Sequence, residues 1–176
     1  MKGNYNEYKI VPGPVCIRTI HDAEGSYVES YARLPENGGE EELHRHPMQT
    51  VRLEAVEGRL GIMLDDRRLI VQPGSALEIP RNTAHALYNP DEKEIVFRKI
   101  VRPALHTEWL SREMKALSKR KQTGILSLIE RSYILNQIRG EYYRSGIPAA
   151  LQNAVHAVFA LIGKWTGLNK RINPVQ

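Results

Sequence analysis

A chain of 176 residues is long enough for one well-buried core and too short for two full domains of ordinary size. Its hydrophobic fraction of 41% and charged fraction of 26% exclude a disordered polyelectrolyte and a membrane-embedded protein. A net charge of +5 admits an acidic partner, so the placement of the basic residues has to decide whether one is implied.

The N-terminal MKGNYNEYKI lacks the apolar run of a secretory signal, and the single Cys16 has no intrachain partner for a disulfide. A reducing cytoplasm is the expected compartment. From Tyr8 to about Pro103, short runs of alternating apolar residues are punctuated by turn residues, the pattern of an antiparallel sandwich or barrel. In 26–34, Tyr27, Glu29, Tyr31 and Arg33 share one face and Val28, Ser30, Ala32 and Leu34 the other, and 35–39 is a loop. Residues 50–56 form the next strand, closed by Glu57-Gly58, and 59–64 the one after. Asp65-Asp66 makes a tight turn into 67–71. Pro73-Gly74 separates that strand from 76–79, residues 85–89 follow a proline-bearing turn, and 94–101 closes the series. About eight to ten strands result, enough for two sheets to cover each other.

Beyond Pro103 the period changes to about 3.6, so the expected organisation is a β-barrel domain over 1–103 and a helical extension over 104–176. Trp109, Leu110, Met114 and Leu117 line one side of a helix that Thr107 caps, with Glu108 in its first turn. Arg112, Lys115, Lys119, Arg120 and Lys121 cluster on this helix and its exit, and Lys164, Lys170 and Arg171 lie near the C-terminus. Such runs read as solvated helix faces, so no nucleic-acid partner is expected. Residues 125–137 form a second helix that Gly140 ends, and 148–167 a third. On the third, Leu151, Val155, Val158, Ile162 and Trp165 fall on one stripe, which calls for burial on the barrel or across a homodimer interface. Its apolar centre, AVHAVFALIGKW, is far short of the roughly 20 residues that span a bilayer, and membrane association is not expected.

The densest chemical signal is the stretch 39–58, GEEELHRHP to the closing Gly58. His44 and His46 are two residues apart, so in a strand their imidazoles project from one face, about 7 Å apart along the chain. Such a pair is half of a metal site, and His85, at the head of 85–89, is the candidate third ligand. A half-exposed polar pair and a hydrogen-bonded barrel histidine are the plain alternatives, but three histidines at these positions favour the metal. His21, His106 and His156 read as structural.

The stretch from Gly39 to Gly58 resembles the first cupin motif, and Gly74, Pro80, His85 and Asn89 resemble the second. The resemblance is to small single-domain bacterial cupins with a helical C-terminal extension. It implies an all-β core, a double-stranded β-helix (jelly-roll) barrel followed by α-helices, with a divalent transition metal (Zn, Fe, Ni or Mn) held by histidines in the barrel mouth, and frequent dimerisation. Two departures stand out. Seven residues before Gly58, where the family usually has a metal-binding glutamate, this chain has Val51. Gln49 is the nearest polar substitute and the candidate fourth donor, though a hydrogen-bonding role in the lining is favoured for it. Asn82 stands where the second motif usually has glycine, and asparagine tolerates a left-handed backbone. Tyr31, Val51 and Tyr88 are expected to line the pocket, with Arg52 at its rim.

Three neutral imidazoles leave coordination positions open, as a catalytic rather than a closed structural site requires. The first reading is a metal-binding barrel acting on a small oxygenated molecule by oxidative cleavage, isomerisation or hydrolysis. The alternative is a non-catalytic small-molecule-binding or sensor barrel, which the absent glutamate favours. A third is a structural role in which the helical tail docks a partner.

Overall fold

The computed structural model describes residues 16–36, 42–120, 124–168 and 172. Gly39, Lys121, Lys170, Arg171 and the N-terminal segment lie outside the described residues. In chain order the elements are β1 (Cys16–Asp22), β2 (Gly25–Leu34), β3 (His44–Arg45), β4 (Thr50–Glu57), β5 (Leu60–Leu64), β6 (Arg67–Val71), β7 (Ala76–Ile79), β8 (His85–Tyr88) and β9 (Ile95–Arg102), then α1 (Thr107–Lys119), α2 (Ile125–Gln137), β10 (Tyr143–Arg144) and α3 (Ala149–Trp165). Two five-stranded antiparallel sheets run β1-β2-β9-β4-β7 and β10-β3-β8-β5-β6. The all-β core followed by helices is therefore the fold expected from the alternation of residues 16–102.

Alternation decides what lies between the sheets. In β2, Val28, Ala32 and Leu34 are buried in the core while Tyr31 and Arg33 face outward. Leu53 on β4, Leu60 and Ile62 on β5, Ile79 on β7, Leu87 on β8, and Ile95, Phe97 and Val101 on β9 complete one apolar cluster. Turns follow their residue types. Asp65 takes φ of 50° in the β5–β6 hairpin, and Gly74 takes φ of 77° in the turn that carries the chain from β6 in one sheet to β7 in the other. Gly58, at φ of 75°, also lies so near β9 that an added Cβ would stand 2.4 Å from Ile95 Cγ2, so this position needs glycine twice over. Asn89 accounts for the motif asparagine: its Nδ2 donates to the carbonyls of Leu34, Pro35 and Lys93, and its Oδ1 accepts from the Asp91 amide, which pins two loops together. On the outer face of β2, Glu29 is only 3% exposed because Arg18 and Arg98 clamp its two carboxylate oxygens. Burial pushes the Glu29 carboxyl upward, but the two guanidiniums outweigh it and hold the group below its ordinary range.

Two expectations about the helices change. Thr107 does not cap α1; His106 holds the cap position without a side-chain bond, and the Thr107 hydroxyl, inside the first turn, is occupied by Gln49. The α3 stripe of Leu151, Val155, Val158, Ile162 and Trp165 is exposed in the single chain, Trp165 at 93%. The helix packs instead through its small residues, Ala160 and Gly163, against Ile129 and Tyr133 of α2. A Cβ at Gly163 would stand 2.9 Å from Leu168 Cδ1 and 3.3 Å from the Tyr133 ring, so close approach fixes which face turns inward. Among the described residues no helix is long and apolar enough to cross a membrane. The sequence pattern breaks at Pro103, but the chain returns to the barrel: β10, between α2 and α3, adds a strand beside β3.

Candidate metal centre

The two-residue strand β3 places His44 directly opposite His85 on β8, so their side chains emerge from one face of the sheet as a cross-strand pair. His46 lies just past the end of β3. Its carbonyl accepts the Asn82 amide at 2.9 Å, which ties the turn before β8 to the loop carrying the second histidine. Asn82 takes φ of 61°, the left-handed conformation expected of it in the place of glycine. The ring centroids stand 4.5 Å apart for His44 and His85, 5.1 Å for His44 and His46, and 5.5 Å for His46 and His85. One ring nitrogen from each lies within 4.8 Å of the other two, and all three residues are buried.

Hydrogen bonds fix the orientation of two of these rings. His44 Nδ1 is 2.8 Å from the Glu42 carbonyl and His85 Nδ1 is 3.0 Å from the Thr83 carbonyl. A carbonyl only accepts, so each Nδ1 carries the proton and each Nε2 keeps its lone pair. His46 has both ring nitrogens buried without a hydrogen-bond partner, and the Glu141 backbone approaches it only outside hydrogen-bond geometry. A buried polar atom left in that state costs about 1–3 kcal/mol. The donor set and the unpaired nitrogen both fit a divalent transition metal, which the three imidazoles would hold. Burial, with the Lys99 charge next in size, lowers His44 to about 3. Burial, then the charges of His44, Lys99 and His85, holds His46 well below its ordinary value. Both rings are therefore neutral at pH 7, the form that binds a metal.

The remaining expected residues distribute differently. Gln49 is 1% exposed, and its Nε2 lies 2.9 Å from the Pro103 carbonyl, 3.2 Å from that of Ala104 and 2.7 Å from Thr107 Oγ1. The amide nitrogen thus holds the junction between β9 and α1, and only Oε1 is left to a metal. Gln49→Leu is expected to lower unfolding free energy by about 2–3 kcal/mol in urea with metal content unchanged. Loss of metal at unchanged stability would instead mark Gln49 as a ligand. Val51 is part of the buried interior, facing Ile79 and Val101 in register. Tyr31 and Tyr88 are not in the pocket lining. Tyr31, 37% exposed, is out of phase with Ala32 and Leu34, and Tyr88 is out of phase with His85 and Leu87. The Tyr88 ring lies across Gly61 beneath the Arg68 guanidinium, on the outside of its sheet.

Two residues at the site were not anticipated. Tyr142 stacks on His44 at 5.0 Å and meets His46 edge-on at 5.7 Å. It is carried there by β10, and Glu141 beside it accepts the His106 amide at 3.0 Å and bonds the His106 ring, which locks it to the start of α1. The only trace in the sequence is an aromatic pair, Tyr142-Tyr143, isolated between Gly140 and Gly146. The other is Lys99. On β9 it is in phase with the buried Ile95, Phe97 and Val101, and a charged residue on the apolar phase of a strand was the readable signal.

Residues 30–101 match the family model of the cupin domain. Among solved structures, an uncharacterized conserved protein with a double-stranded β-helix domain from Klebsiella pneumoniae is 15% identical, with a TM-score of 0.45, over 52% of this chain and 78% of that one. A cupin-2 domain containing protein from Shewanella frigidimarina is 22% identical, with a TM-score of 0.41, over 49% of this chain and 79% of that one. A cupin 2 conserved barrel domain protein from Salinispora arenicola is 14% identical, with a TM-score of 0.41, over 57% and 87% respectively. No curated protein matches the chain.

Proposed function

We propose that the cupin domain at residues 30–101 holds one divalent transition metal on His44, His46 and His85 and binds a small oxygenated molecule beside it. The observation that supports this is the convergence of three buried imidazoles, one of them without any hydrogen-bond partner and two held by backbone carbonyls with Nε2 as the lone-pair nitrogen. When bound, such a metal supplies a Lewis acid with coordination positions that three protein ligands leave open. The chain's own groups do the rest. The Glu42 and Thr83 carbonyls keep His44 and His85 in the ligating tautomer, Tyr142 covers the ring of His44, and the apolar wall with Val51 and Leu53 keeps water from the inner side. A non-catalytic binding or sensor barrel is the second reading. It is favoured by the composition of the cluster, which among the described residues includes no Asp or Glu to accept a proton.

Metal analysis of protein purified without a histidine tag tests the site, and turnover of small enols, diols and thiols by the metal-loaded protein separates the two readings. Near-equimolar metal with turnover supports the enzyme, and ligand binding without turnover supports the sensor. Protein that arrives metal-free and takes up no added Zn, Fe(II), Ni or Mn overturns the metal site and leaves the ligand-binding barrel as the better reading.

A further inference from the structure

Lys99 is paired in register with Leu53 of β4 and Ser30 of β2, both buried and inward-facing, and its neighbours of like phase, Phe97 and Val101, are core residues. Its side chain therefore leaves the strand on the inner side of the barrel. It shares that interior with the cluster, because His85 on β8 is in phase with Leu87, which packs in the same core as Phe97 and Val101. The cations beside it on β9 point outward and are paired: Arg98 with Glu29 and Glu54, and Arg102 with Asp22 and Glu24. Among the described residues, none of the ion pairs includes Lys99. The carboxylates nearest the histidines in the chain or fold are committed elsewhere, Glu42 to Arg131 and Arg144 and Glu141 to His106. Among the described residues, Lys99 is thus a partly buried cation outside every ion pair, beside a site of three imidazoles that would receive two further positive charges.

We propose that Lys99 is the ligand-recognition residue of this site and that it selects a small dianion, a dicarboxylate or a carboxylate beside an acidic hydroxyl, held between the metal and the Lys99 ammonium. This rests on the metal reading above. A neutral diol or enol would satisfy the metal and leave Lys99 uncompensated, whereas a dianion offsets both deficits at once. Lys99 also repels the metal in the ligand-free barrel, and the anion relieves that repulsion. Metal and anion must then tighten each other's binding by the same factor.

Malonate is the probe. Calorimetric titration of zinc-loaded wild type, Lys99→Met and Lys99→Arg, with metal content measured on each sample, is expected to show malonate binding to wild type. Binding is expected to weaken about tenfold or more in Lys99→Met and to be largely retained in Lys99→Arg. Zinc is expected to bind Lys99→Met at least as tightly as wild type when no anion is present. In wild type alone, saturating malonate is expected to tighten zinc about fivefold or more, after correction for the zinc that malonate itself chelates. Equal malonate affinity in wild type and Lys99→Met, no malonate binding to zinc-loaded wild type, or no effect of malonate on zinc would each overturn the assignment. Absence of metal from every sample sinks the metal reading instead. In that case the same titration of metal-free protein still decides: Lys99-dependent malonate binding upholds the role of Lys99, and Lys99-independent or absent binding removes it.

Discussion

Replacing His44 and His46 by alanine is expected to take bound metal from near one equivalent to none and to abolish the stabilisation that added zinc gives the wild type. The two residues supply two of the three nitrogens that lie within 4.8 Å of one another, and His85 alone cannot hold an ion against water and buffer. A ligand that binds only the folded state at about 100 times its dissociation constant stabilises by about 2.7 kcal/mol, which for a chain of this size raises Tm by roughly 5–10 °C. That rise is expected in wild type and absent from the double variant. His85→Ala is expected to behave in the same way, because the cross-strand pair with His44 makes it an equal partner. His21→Ala, on exposed β1, is expected to change neither metal content nor thermal shift. Equimolar metal in the double variant would mean that the ion sits elsewhere.

The site and the barrel were legible in the sequence to different depths. Period-two alternation in 26–34 or 94–101 reports a half-buried strand from neighbours alone, so the sheets could be read residue by residue. The three histidines were readable because the spacing in 44–46 and the turn before His85 are local features. Tyr142 was not, since a two-residue strand between helices has no period, and its place depends on β3 pairing across the chain with β10. The α3 stripe shows the opposite failure. Its apolar spacing is clear, but the helix docks through Ala160 and Gly163, where small size permits closer packing than the larger residues allow. Tyr31 is expected in the pocket, but it shares a face with Glu29 and Arg33, and the burial of Val28, Ala32 and Leu34 turns that face outward. Lys99 carried its signal in plain view, as a charge on the apolar phase of β9, and was lost among apolar neighbours.

Chelator-treated protein is expected to lose stability as pH falls from 7 to 5, and the loss should be concentrated in His44 and His46. In the folded state burial, with Lys99 second, lowers His44 to about 3, and His46 lies well below its ordinary value. In the unfolded chain both return to about 6.5. Below that pH the unfolded state binds protons that the folded state refuses, so unfolding becomes easier by about 1.4 kcal/mol per pH unit for each histidine kept neutral. At pH 6.5 the slope is about half that value, and it fades over about the next unit above. The depressed carboxyls of Asp22, Asp91 and Glu29 act at lower pH: their stabilisation is complete above their unfolded values and is lost as pH falls through the folded ones. The interval from pH 6.5 to 5 therefore isolates the histidines. His156, lowered by burial beside Arg131 and Arg139, adds a slope of its own that survives changes at the cluster. Urea midpoints at pH 7, 6 and 5 for wild type, His44→Leu and His46→Leu check the assignment: each variant should flatten the curve, and a slope that is flat in wild type or equal in all three would show that the imidazoles take up protons where they stand. Neutral His44 and His46 rings at pH 5 would also let the folded chain keep its metal below the pH at which exposed histidines release theirs, since burial keeps protons from competing for these two nitrogens.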